Sequence, residues 1–173
     1  ELWKSDGTAT GTVLVKDIFA GSDSSAPSLF QMWNGSLYFG ARDNYNTSEL
    51  WKSDGTSAGT VRLTFLPSGS STSSGRSVVL GAWLYFTVND SSGTELWRTD
   101  GTMAGTSLFK DIRPGSASSS PSGLTLFNGA IYFAADDGTT GVELWKSNGT
   151  AAGTVRLKDI RSGSTGSSTN NGR

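Results

Sequence analysis

The chain contains no cysteine and no histidine in 173 residues. That double absence removes disulfides, thiolate nucleophiles, Ser-His-Asp triads and nearly every zinc or copper site. It leaves the compartment open, because cysteine-free proteins occur inside and outside cells. No apolar run approaches the roughly 18 residues that a membrane-spanning helix needs. Charge of one sign is also lacking: the formal net charge is −1, and the basic residues are scattered rather than gathered into a phosphate-binding track. Such a chain has no long-range field for nucleic acid or an anionic membrane. No signal peptide is visible, but the sequence opens at Glu1 inside a motif, so a processed or longer N-terminus is the expectation.

Glycine is plentiful, at 23 residues, nearly twice its usual share of about 7%. Many tight turns are the natural use for it. The turns recur. Glu-Leu-Trp begins at Glu1, Glu49, Glu95 and Glu143, in steps of 48, 46 and 48 residues. The copies read ELWKSDGTATGT, ELWKSDGTSAGT, ELWRTDGTMAGT and ELWKSNGTAAGT. Each is followed by a mostly apolar run, a Gly/Ser-rich link, and then Leu37-Tyr38-Phe39, Leu84-Tyr85-Phe86 or Ile131-Tyr132-Phe133. A fixed period of this length signals a repeat architecture.

One period holds four strand candidates, in the last copy near 123–127, 130–135, 142–146 and 154–159. Val, Ile, Leu, Phe, Tyr and Trp fill them, and Gly, Asn, Asp, Ser and Pro separate them. Asn34-Gly35 and Asn128-Gly129 mark the first hairpin, and Asp-Gly-Thr turns the third strand into the fourth. Adjacent Leu and Trp point to opposite faces of a strand, so both faces are apolar and need a neighbour. Radial packing of blades supplies one. The expected fold is all-β: a β-propeller-like array of four-stranded antiparallel blades, about three and a half of them, with a β-solenoid as the alternative. The divisions are a half blade over 1–18, blades over 19–66, 67–112 and 113–160, and a Ser/Gly-rich tail or link over 161–173. Propellers close with four or more blades, so an open array that associates with itself or with further repeats is expected.

The signature ELWxxDGTxxGT, with Lys16-Asp17-Ile18, Lys110-Asp111-Ile112 and Lys158-Asp159-Ile160 after it and a GSxSSxPS link, resembles the bacterial ELWxxDGT repeat family of large surface or secreted proteins. The second copy departs, reading Thr64-Phe65-Leu66. The resemblance implies an extracellular or cell-surface location and is silent on activity. The Asp-Gly-Thr hairpin is also similar to the Asp-box turn of sialidase-type propellers, a structural feature that brings no enzymology.

No residue stands out as catalytic, as a cofactor ligand or as a metal ligand. Asp43, Asp90 and Asp137 recur beside Asn44, Asn89 and Asp136 in Gly-rich loops, where hard oxygens could hold Ca²⁺. None has the order of a calcium loop, and solvated turns are the preferred reading. Most acids repeat, Asp23 being the exception, whereas paired glycosidase carboxylates would break the symmetry. The repeated Trp are read as core rather than sugar platforms, while Trp33 and Trp83, beside hairpin tips, are the better surface candidates. Sequons at Asn34, Asn46, Asn89 and Asn148 coincide mostly with turns. Across the last hairpin of each copy, a regular register would set Glu1 against Lys16, Glu95 against Lys110 and Glu143 against Lys158, with Thr64 facing Glu49. The expected role is a non-enzymatic structural or adhesive module without cofactor; a glycan- or protein-binding propeller is the alternative.

Overall fold

A computed structural model describes residues 1–72, 76–160 and 162–163. Most of the tail anticipated over 161–173 lies outside the described residues, as do residues 73–75 of one Ser/Gly link. The described chain is all β, without a helix. β1 (Leu2–Lys4) and β2 (Val13–Lys16) form a two-stranded sheet. β3 (Ser28–Trp33), β4 (Ser36–Ala41), β5 (Glu49–Ser53) and β6 (Val61–Arg62) follow as a four-stranded antiparallel meander. The next sheet comprises β7 (Ser71–Thr72), β8 (Val78–Leu80), β9 (Trp83–Asp90), β10 (Gly93–Thr99) and β11 (Ser107–Lys110). β10 occupies one edge of β9, so β7 and β8 share the other and act as two pieces of one first strand. β12 (Ser122–Phe127), β13 (Ala130–Asp136), β14 (Val142–Ser147) and β15 (Thr154–Lys158) complete the series. The four strands anticipated in the last copy match these within a residue or two.

The hairpin between third and fourth strands is built the same way four times. Asp6 Oδ1 accepts from the backbone N–H and the hydroxyl of Thr8, Thr8 Oγ1 accepts from Gly11 N–H, and Ser5 Oγ meets Thr12 Oγ1 at 2.7 Å. Asn148 performs the Asp role in the last copy, through its Oδ1. A Cβ on Gly11, Gly59, Gly105 or Gly153 would lie about 2 Å from that Asp or Asn side chain. The second glycine of the motif is therefore the seat of the capping carboxylate. These turns are also docked to the preceding sheet: Lys4 Nζ donates to Gly55 O at 2.9 Å, and Tyr85 Oη to Gly149 O at 3.3 Å.

Successive sheets pack through three apolar clusters, all following one rule. Trp51 of β5 lies with Leu2, Val15 and Ile18 of the preceding sheet. Trp97 of β10 packs against the cluster holding Leu50, Leu63 and Leu66, and Trp145 of β14 against that holding Leu96, Phe109 and Ile112. Each Trp thus shares a cluster with three apolar residues at fixed places in the repeat before it. Trp51 and Trp145 are buried and donate Nε1–H to the carbonyls of Ala41 and Ala135. The anticipated core role holds for them, while Trp97 is half-buried with its Nε1 unpartnered and Trp3 is exposed.

Two expectations need correction. Trp33 is buried rather than on the surface, its ring centroid 5.3 Å from that of Tyr38, because it joins the apolar cluster that holds Leu84 and Phe86 of the following sheet. Trp83 is half-buried under the Arg98 guanidinium, 3.9 Å away. The anticipated hairpin register fails beyond the Trp. Trp3 faces Leu14, but a bulge then sets Leu2 against Lys16, and the same shift occurs at Leu96–Lys110 and Leu144–Lys158.

Candidate functional site

The bulge decides what the Glu of Glu-Leu-Trp does. Glu49, Glu95 and Glu143 are buried, and the three ion pairs among the described residues involve none of them. Their carboxylates accept hydrogen bonds from the segment that crosses to the next sheet. Glu95 accepts from Ile112 N–H at 2.8 Å, Ser119 N–H at 2.8 Å and Ser119 Oγ at 2.7 Å. Glu1 accepts from the N–H groups of Ile18, Phe19 and Ser25, Glu49 from Thr64 Oγ1 and Leu66 N–H, and Glu143 from Ile160 N–H. The anticipated pairing with Lys16, Lys110 and Lys158 is thereby overturned: a buried carboxylate satisfies the backbone N–H groups of the crossover instead. Burial pushes the Glu49 and Glu95 carboxyls above the usual range, although the hydrogen bonds pull the other way.

The same crossover ties two sheets at once. Ser119 N–H is held by Glu95 of one sheet while its carbonyl accepts from Asp136 N–H of the next. Ser25 repeats the arrangement between Glu1 and Arg42. Ser25 and Ser119 are thus buried joints within otherwise largely exposed links.

Asp43, Asp90 and Asp137 occupy separate loops and are engaged by protein groups. Asp43 pairs with Arg62 and Asp137 with Arg156, at the same 19-residue spacing, and Asp136 pairs with Arg113. Leu108 replaces the arginine in the third copy, and there Asp90 Oδ1 accepts the N–H of Ser92. Among the described residues no three His, Cys, Asp or Glu side chains gather as a metal centre would require. The unrepeated Asp23 accepts a hydrogen bond from Tyr45 Oη.

Burial works against ionisation of Asp137, but donors from Thr139 and Thr140 and the Arg156 guanidinium outweigh it and hold the carboxyl at about 2. A depressed folded-state pKa contributes stability above the unfolded value of 3.8, lost as pH falls through about 2. Asp137→Asn should therefore cost roughly 1–2 kcal/mol at neutral pH, allowing for solvent screening, and almost nothing in strong acid. Urea denaturation of both proteins across that range checks it; an equal cost at both ends would reject the electrostatic account.

The packing rule leaves one surface at each end of the series. Trp3 is 58% exposed, whereas Trp51 and Trp145 at the same repeat position are 6% and 7% exposed. On the last sheet, Leu157 is 46% and Ile160 56% exposed, against 4% for Leu63 and 5% for Ile112. Beside half-buried Leu144, that face carries a hollow of about 300 Å³ lined by Thr125, Tyr132 and Ala134. The first sheet offers a Trp without its three partners, and the last sheet the partners without a Trp.

No helix of the described residues is long and apolar enough to cross a membrane. Comparison with known protein families and with curated proteins finds no match to this chain.

Proposed function

We propose that the chain is a non-enzymatic structural module of the cell surface or extracellular space, a propeller-like array whose two end faces pack head to tail against further repeats, supplied by a second copy or by the same protein. The observation that carries this reading is the complementarity of Trp3 with Leu144, Leu157 and Ile160, the set of contacts that each interior interface already makes. A heterologous contact of this kind closes a ring if the rotation allows and otherwise grows a fibre. Exposed apolar sheet faces of this sort mark association surfaces. The non-enzymatic part rests on how the acids are used: the buried glutamates are backbone acceptors, and the loop aspartates serve turns and arginines. The extracellular part rests on the resemblance of the repeat to surface-protein arrays.

Sedimentation velocity over a concentration series, with electron microscopy of the concentrated sample, tests it. Wild-type chain should associate by the micromolar range, and Trp3→Glu and Ile160→Asp, each folded by circular dichroism, should sediment as monomers. A wild type that stays monomeric at about 100 µM, or variants that associate as it does, would sink the proposal.

A further inference from the structure

Three sheets contribute to one groove that shares only Thr125 with the hollow on the last sheet. Its volume is about 540 Å³, and its walls are overlapping stretches in three repeats: Leu29-Phe30-Gln31, Arg76-Ser77-Val78 and, one position further along the repeat, Leu124-Thr125-Leu126. The register proves the equivalence, since Gln31, Val78 and Thr125 face Tyr38, Tyr85 and Tyr132 in turn. A space of this size is within the range of small-molecule sites, about 300–1,000 Å³.

The copies differ in sequence along this groove. Glu-Leu-Trp and the Gly-Thr turns are kept in every repeat, yet position 29 and its counterparts 76 and 123 read Leu, Arg and Gly. Backbone strain singles out the same place. Leu29 holds φ at +63°, close to the +67° of Gly123, where both strands bulge. A left-handed leucine costs about 1–2 kcal/mol that glycine would avoid, so its side chain on the groove wall is kept against a penalty. Among the described residues Arg76 is the one charged side chain that lines the groove, and it has no ion-pair or hydrogen-bond partner there. Phe30 and Leu126 add exposed apolar surface beside it.

From this lining we infer that the groove binds a small amphipathic carboxylate, its apolar body against Phe30 and Leu126 and its carboxylate on the Arg76 guanidinium. A planar guanidinium beside apolar walls suits a carboxylate through paired charge-assisted hydrogen bonds. The bulged first strands are poor templates for strand addition, which favours a small acid over an extended peptide.

The test is titration of ¹⁵N-labelled full-length chain with octanoate, with octylammonium as the charge-reversed control. Octanoate should shift amides of 29–31, 76–78 and 124–126 and bind in the millimolar range, and octylammonium should bind at least about tenfold more weakly. Arg76→Ala should weaken octanoate by about tenfold, and Leu126→Glu should abolish binding, both with wild-type amide dispersion. Absence of octanoate binding, equal affinity for octylammonium, unchanged affinity in Arg76→Ala, or shifts confined to the face around Tyr132 and Leu144 would each overturn the inference.

Discussion

Glu95→Ala is expected to destabilise the chain by about 3–5 kcal/mol, whereas Lys110→Ala should stay within about 0.5 kcal/mol of wild type. The first substitution removes the acceptor for two backbone N–H groups and a hydroxyl at Ser119 and Ile112, all in a buried joint. Each orphaned donor costs on the order of 1–3 kcal/mol. Glu95→Gln retains the shape but turns an amide NH₂ toward donors, and about half the loss should remain. Chemical denaturation in dilute solution measures all three. If Lys110→Ala matched Glu95→Ala, the carboxylate would be answering a lysine after all, and the crossover account would fail.

Trp51→Ala should cost about 3–5 kcal/mol, the usual loss for a truncated buried aromatic. The indole fills the interface with Leu2, Val15 and Ile18, and its Nε1–H is spent on the Ala41 carbonyl. Trp3→Ala at the equivalent position should cost the dilute, unassociated chain less than about 0.5 kcal/mol, because that side chain is exposed. Identical residues in identical motifs thus separate by whether a neighbouring sheet is present. Equal losses at the two positions would show that the Trp stabilises its own hairpin rather than the interface.

The strands, hairpins and apolar faces were legible because period, turn residues and alternation are local properties. The register past the Trp was not. Counting from the turn assumes a regular ladder, and the bulge that sets Leu2 against Lys16 leaves no mark that residue spacing alone could expose. The glutamate was misassigned for that reason: a charged residue opposite a lysine reads as an exposed pair until burial is known. Two other signals are present in the sequence. Trp33 aligns with Leu80 and Phe127, apolar in every copy, as a position that contacts a following sheet would be, although Phe127 on the last sheet is 59% exposed. Asp43 and Asp137 each precede an arginine by 19 residues, while Asp90 precedes a leucine region instead. The groove needed coordinates, since convergence of three first strands is a property of how sheets are placed.

The crossover joint has a consequence for how such a chain reaches its fold. Every sheet is built from sequential antiparallel hairpins, and Glu95 and Glu143 accept hydrogen bonds from the link that follows them. Most pairings are therefore local hairpins or reach about one period, which keeps contact order modest for an all-β protein. Ordering can begin in any repeat and spread to its neighbours, with free energies that add nearly repeat by repeat. A genetic duplication or loss of one whole period would then leave the remaining joints intact, so arrays of this kind can change length without inventing a new interface.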